Sequence, residues 1–303
     1  MHDRRPMLAT PSTGAGNRAP IDINTLAGTH AFDLKMDGIR AFAEWDGANL
    51  TLTNRNGEVI THRYPELAAA APLYFDLPIW LDGEIVADNG RFETTLTRDK
   101  QNSAAAIRLH SERNPVSFHA FDLPMYHEQA WTWRRDELER TATEWPGPGP
   151  FKITPVSYTP DFLAKTREVG LEGVIAKRLT VGYQFGARSK SWVKFKNLHR
   201  VTCLVAGYSP GEGSRAHFGK LHLALVNEAG EVIPCGSCGT GFTAKETWVL
   251  KELLDRGETL VVEIEALNRT SGGTLRFPVY KGVRTDVDVT ACTADQLQTL
   301  PAC

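Results

Sequence analysis

The sequence predicts an α+β domain followed by a smaller all-β barrel, and three observations predict it. From residue 21 to about 198, short strand-like stretches alternate with helical segments. Beyond Arg200, short turn-punctuated strands recur with a single helix among them. Between the two lies the most basic stretch of the chain. With 303 residues, 42% of them apolar and 23% charged, the chain can fill two cores. The expected units are a flexible arm over 1–20, a first domain over 21–198 and the barrel over 199–303.

A net charge of −2 excludes a protein that holds nucleic acid by bulk positive charge, although a local basic groove works on a neutral chain. Residues 1–20 carry arginines but no apolar run of signal-peptide length, and no stretch is long enough to span a membrane, so a cytosolic protein is expected. Five cysteines without a secretion signal read as reduced thiols. Cys235 and Cys238 have zinc-knuckle or redox spacing, but no second pair completes a metal site, which favours a structural or incidental role.

After the arm, Ile21 to Thr29 leads into a strand containing Phe32, Asp33, Leu34 and Lys35, with Asp37, Gly38 and Arg40 close behind. A lysine in a mostly apolar run is a candidate nucleophile, because its amine reacts only when deprotonated. A charged surface turn at Asp37–Gly38 is the plainer reading. Ile39 to Trp45 alternates, Asp46–Gly47 turns the chain and Leu50 to Thr53 returns it as a hairpin. Arg55 precedes the Asn56–Gly57 turn, either as a solvated residue or as a phosphate contact, and Glu58 to Thr61 reads as another strand.

Tyr64 to Ala71 is an Ala-rich helix. Ile79 to Ala87 is an apolar run holding Asp82, Gly83 and Glu84, which is either a hairpin turn or a strand whose buried acids have work to do. Arg91 to Ser103 is a polar helix or loop. Val116 to Leu123 is a strand in which Phe121 is either core or a stacking platform for a base. Helices follow over Trp131 to Glu144 and Asp161 to Gly170, then a strand headed by Glu172 and Gly173. From Arg188 to Arg200 there are five basic residues and no acid. In a strand Lys194 and Lys196 share a face, which suits either a bound anion or a solvated edge. The barrel strands are expected at Val201–Tyr208, Lys220–Val226, Val232–Cys235, Thr259–Leu267 and Thr274–Val283, with a helix near Ala244–Leu254.

Each stretch is ambiguous alone; their order is not. Lys35-x-Asp37-Gly38-x-Arg40, Arg55, Asp82-Gly83-Glu84, Phe121-Asp122, Glu172 to Lys177 and Trp192 to Lys196 resemble the motif series of the covalent nucleotidyltransferases. Within them the chain is similar to small two-domain ATP-dependent DNA ligases of bacterial or phage type. The resemblance runs from about residue 30 to about 290 and includes Gly239 to Phe242. It implies a nucleotidyltransferase domain with ATP-grasp-like antiparallel sheets and helices, then an oligonucleotide-binding barrel.

It also implies that Lys35 attacks the α-phosphate of ATP to form lysyl-AMP, then adenylylated DNA, then a sealed nick. Asp33, Arg40, Glu84, Phe121, Lys194 and Lys196 would form the nucleotide site, with Glu84 on the ribose and Phe121 on the adenine. Glu172, with Glu84, would place Mg²⁺ or Mn²⁺, while Arg40 and Arg55 would hold the 5′-phosphate. The implied partner is nicked duplex DNA, met by a monomer away from membranes. In the barrel Arg284-Thr285-Asp286-Val287 corresponds to the motif that orients the leaving pyrophosphate, with Val287 where a cation is usual; Lys281 or Arg276 would replace it. The alternatives are an RNA ligase, a capping-type enzyme, or a nick- or end-binding module without turnover.

Overall fold

The computed structural model describes residues 5–13, 19–212 and 217–302. The chain divides into two compact units, Met1–Lys196 and Asn197–Cys303. No helix among the described residues is long and apolar enough to cross a membrane.

The first unit contains two five-stranded sheets. One is built from β1 (Leu8–Pro11), β2 (His30–Leu34), β8 (Val156–Ser157), β9 (Gly173–Arg178) and β10 (Arg188–Lys196), in the order β1-β10-β9-β2-β8. The other is built from β3 (Ile39–Trp45), β4 (Leu50–Asn54), β5 (Ile79–Ala87), β6 (Val116–Asp122) and β7 (Phe151–Ile153), in the order β4-β3-β5-β6-β7. Pairing is antiparallel except at β1–β10 and β6–β7. Helices α1 (Pro65–Tyr74), α2 (Phe92–Asp99), α3 (Ala104–Arg113), α4 (Trp131–Ala142) and α5 (Phe162–Glu168) complete the unit. The apolar face of the second sheet, with Ala43, Leu52, Leu81, Ile85 and Phe118, packs with Tyr64, Leu67 and Ala71 of the α1 region to form the main core.

Two sequence expectations are corrected and one open alternative is decided. Residues 1–20 are not simply an arm: Met7 is buried and β1 pairs with β10, while 1–4 and 14–18 lie outside the described residues. Glu58 to Thr61 is not a strand. Only Val59 bridges to Thr53, and a 3₁₀ turn at Thr61–Arg63 follows. Asp82–Gly83 is no hairpin turn, because β5 runs straight through it with β3 on one side and β6 on the other.

The second unit is a five-stranded antiparallel sheet, β13-β12-β11-β14-β15, comprising β11 (His199–Ser209), β12 (Lys220–Val226), β13 (Val232–Cys238), β14 (Val261–Ala266) and β15 (Val279–Val283). Backbone bonds from Leu275 N to Cys235 O (2.8 Å) and from Tyr280 N to Thr240 O (3.0 Å) tie the approach to β15 back toward β13. Helix α6 (Ala244–Asp255) opens with a full capping box between Thr243 and Glu246. Cys203, Cys235, Cys238 and Cys292 are buried free thiols in this core; Cys303 lies outside the described residues.

Candidate active site

Lys35 follows the last residue of β2, its backbone N–H donating to Gly173 O at 3.0 Å. Two glycines make this approach possible. A Cβ on Gly38 would lie 2.2 Å from Ile85 O, and one on Gly173, whose φ is +135°, would lie 2.1 Å from Phe195 O. The motif glycines thus let two chain segments close on the lysine.

Lys35 lines a cleft of about 220 Å³ with Leu8, Asp33, Arg40, Arg55, Glu84, Phe121, Ile175, Lys177, Arg188, Trp192 and Lys194. Its ammonium donates to Glu172 Oε2 at 2.6 Å, and Lys196 Nζ is 3.1 Å from Oε1 of the same carboxylate. One buried acid is therefore shared by two cations. Lys194 has no ion pair among the described residues. Burial lowers its pKa, and the nearby charges of Lys196, Lys35 and Arg188 lower it further. Arg55 and Arg188 are also exposed cations without a carboxylate partner among the described residues.

Glu84 enters the cleft from β5. Burial pushes its carboxyl up to about 7, an effect opposed by Lys35 and Arg40 and reinforced by Glu172. It accepts no hydrogen bond among the described residues, which leaves its oxygens for a hydroxyl donor. On β6 the register slips opposite Asp82 and Gly83, so Phe121 is the extra residue of a bulge. Arg40 lies 4.5 Å and Lys177 Nζ 4.4 Å from its ring centroid.

Arg40 also lines the cleft and is anchored within it. Its Nε and Nη2 each bond Asp82 at 2.6 Å, and Nη2 also donates to Met7 O at 3.2 Å. Tyr183 OH donates to the same Asp82 at 2.6 Å. A guanidinium held bidentately by a buried carboxylate is rigidly placed beside the Phe121 ring.

The family model for the ATP dependent DNA ligase domain matches residues 6–196. This chain belongs to the ATP-dependent DNA ligase family. It is 30% identical over 311 residues to the multifunctional non-homologous end joining protein LigD of Mycolicibacterium smegmatis, covering 94% of this chain and 39% of that protein. It is also 30% identical over 321 residues to a DNA ligase of Thermococcus fumicolans, covering 93% of this chain and 56% of that protein. The chain thus spans little more than half the length, or less, of these curated relatives. Among solved structures, the ligase domain from M. tuberculosis LigD shares 28% identity and a TM-score of 0.53 over 95% of this chain and 97% of that one.

Within this ligase fold, Lys35, Arg55, Glu84, Phe121 and Lys194 converge on one cleft, with Glu172 and Lys196 joined to it through Lys35. Asp33 is almost wholly buried. Lys177 Nζ meets its Oδ2 at 2.6 Å, and Thr154 donates to its other oxygen. Arg284 belongs to the second unit, where it is held bidentately by Asp286 at 2.8 Å through both Nε and Nη2. Of the suggested substitutes for the cation missing at Val287, Arg276 is buried and bonded to Asn268, whereas Lys281 pairs with Glu265 at 3.1 Å. Sequence reasoning missed Lys177, Tyr183, Arg188, Trp192 and β1 as site components. Lys177 and Trp192 stood inside recognised motifs, so a signal existed for them; none marked β1.

Proposed function

We propose that this chain seals 5′-phosphate/3′-hydroxyl nicks in duplex DNA at the expense of ATP, through lysyl-AMP and adenylylated DNA. The observation that carries the proposal is the cleft's charge: Arg55, Arg188 and Lys194, with no carboxylate partner among the described residues, and Lys196, which shares Glu172 with Lys35, surround one lysine. Such a site lacks a polyanion, and a triphosphate supplies one.

In the first step the Lys35 amine forms a P–N bond to the α-phosphorus as the bond to the β-phosphate oxygen breaks and pyrophosphate leaves. Glu172 Oε2, already bonded to the Lys35 ammonium, is placed to receive the proton that must leave first. Lys194 and Lys196 offset charge on the α-phosphate oxygens, and Glu84 accepts the ribose hydroxyls. AMP then passes to the 5′-phosphate of the nick, and the 3′-hydroxyl displaces it.

The donor set suits a hard divalent cation such as Mg²⁺ or Mn²⁺. Glu172 and Glu84 are near enough for one charge to shift the other's titration, and the described residues contain no cluster of three or more His, Cys, Asp or Glu. This matches an ion that draws most ligands from phosphate and water. When bound it would neutralise phosphate charge.

The test is sealing of a labelled nicked duplex with ATP and Mg²⁺, beside GTP and beside RNA ends. Joining of DNA with ATP supports the proposal. Labelling by GTP alone would reassign the chain to capping chemistry, joining of RNA alone to RNA ligation, and nick binding without lysyl-AMP to a non-catalytic module.

A further inference from the structure

Helix α1 ends at Tyr74. Around that end Leu73 and Leu77 are 73% and 76% exposed, while Phe75 between them is buried. Single exposed leucines are ordinary, but these two line one groove of about 240 Å³ together with Met125, itself exposed. The groove floor belongs to the main core, against which Tyr74, Ile79 and Tyr126 pack. Trp133 of α4, also exposed, meets Tyr126 edge-on with ring centroids 4.9 Å apart and carries the apolar surface outward.

The rim of this groove is acidic. Asp76, Glu137 and Glu144 line it against one cation among the described residues, Arg140. The Arg140 guanidinium donates to Glu137 through Nε at 2.9 Å and Nη2 at 2.6 Å, and its Nη1 reaches Glu144 at 3.3 Å, so it is spent inside the rim. Asp76 is exposed and has no cation partner among the described residues. Strand alternation puts Ile79 on the opposite face of β5 from Glu84, and the groove shares no lining residue with the cleft around Lys35.

We propose that this groove docks a short basic segment of a partner protein, one large apolar side chain entering beside Leu77 and Met125 with lysine or arginine flanking it toward Asp76 and Glu144. Charge complementarity selects that occupant: the excess of carboxylates repels nucleic-acid phosphates and anionic lipid and favours a cationic partner. A concave apolar floor with an adaptable methionine on its rim suits a protruding side chain. The inference goes beyond nick sealing and does not rest on it.

The experiment uses the full chain and fluorescent synthetic peptides in which a central Leu, Phe or Trp is flanked by Lys or Arg and the other positions vary. Matched peptides carry Glu in place of the basic residues, or Ser in place of the anchor. Binding is read by fluorescence anisotropy with wild type, Leu77→Ser and Asp76→Lys. The expected result is a basic peptide that binds wild type and is weakened about tenfold or more by each variant and by each peptide change. Both side chains are exposed, so both variants should melt with wild type; were Leu77→Ser to melt lower, Asp76→Lys decides alone. Absence of binding by every peptide, equal binding of the Glu-flanked peptides, or binding that both variants keep would overturn the proposal. So would dimerisation of wild type in sedimentation that Leu77→Ser abolishes, since a second copy of this chain would then be the occupant. The result stands whether or not the chain seals nicks.

Discussion

The two units each carry a charged surface made of the same residue types, arranged in opposite ways. In the cleft, Arg55, Arg188 and Lys194 have no acidic partner among the described residues. On β11, β14 and β15 of the second unit every cation is answered: Arg200 by Glu263 at 3.3 Å, Lys281 by Glu265 at 3.1 Å, and Arg284 by Asp286 at 2.8 Å. A paired ladder is complete without a ligand and its exposed pairs contribute little. An unpaired cluster stores repulsion that only an anion relieves. The difference separates a surface whose charges are balanced from a cleft whose charges are not.

The largest expected effect lies in the cleft. Lys194→Ala should slow AMP transfer to Lys35 by roughly 10²–10³, as loss of one aimed charge does in other transfer enzymes, measured by single-turnover labelling. Equal losses from Arg200→Ala in the ladder would break the comparison. Next, inorganic pyrophosphate at about 100 times its dissociation constant should stabilise wild type by about 2.7 kcal/mol, read by thermal melting, and Lys194→Ala much less.

The third effect has opposite signs in the two regions. Glu84 holds its proton more tightly when folded, so stability should fall as pH rises from its ordinary 4.5 through about 7. Glu84→Gln should remove that fall, on the order of 3 kcal/mol, in denaturant melts across pH. Asp286 is held down to about 2, chiefly by Arg284, so its contribution is present above the ordinary carboxylate value and is lost as pH falls toward 2; Asp286→Asn should flatten only that acid side. The smallest effect is Arg200→Ala, below about 1 kcal/mol in the same melts.

Much of the fold was legible locally. Ile39–Trp45 and Lys220–Val226 are strands with the bounds read from the sequence. Whether Asp82 turned the chain or lay in a strand was not legible, because the deciding partner, Arg40, is 42 residues away. β1 was hidden for the same reason. It lies between Pro6 and Pro11 in a stretch that looks unstructured, and its parallel partner is almost the whole domain distant. Lys35, Glu172, Lys194 and Lys196 were visible as motif residues. The pairing of Arg40 with Asp82, and the lack of a carboxylate beside Arg188 among the described residues, depend on which acids the fold brings near each, which spacing does not encode.

The most direct test is intact and peptide mass measurement of the protein after incubation with ATP and Mg²⁺. A gain of one AMP on the peptide containing Lys35, kept in Arg200→Ala and absent from Lys35→Ala, is the expected result. AMP on another lysine, or none on folded protein that was free of AMP at the start, would contradict the assignment of this cleft as the site where the ligase chemistry begins.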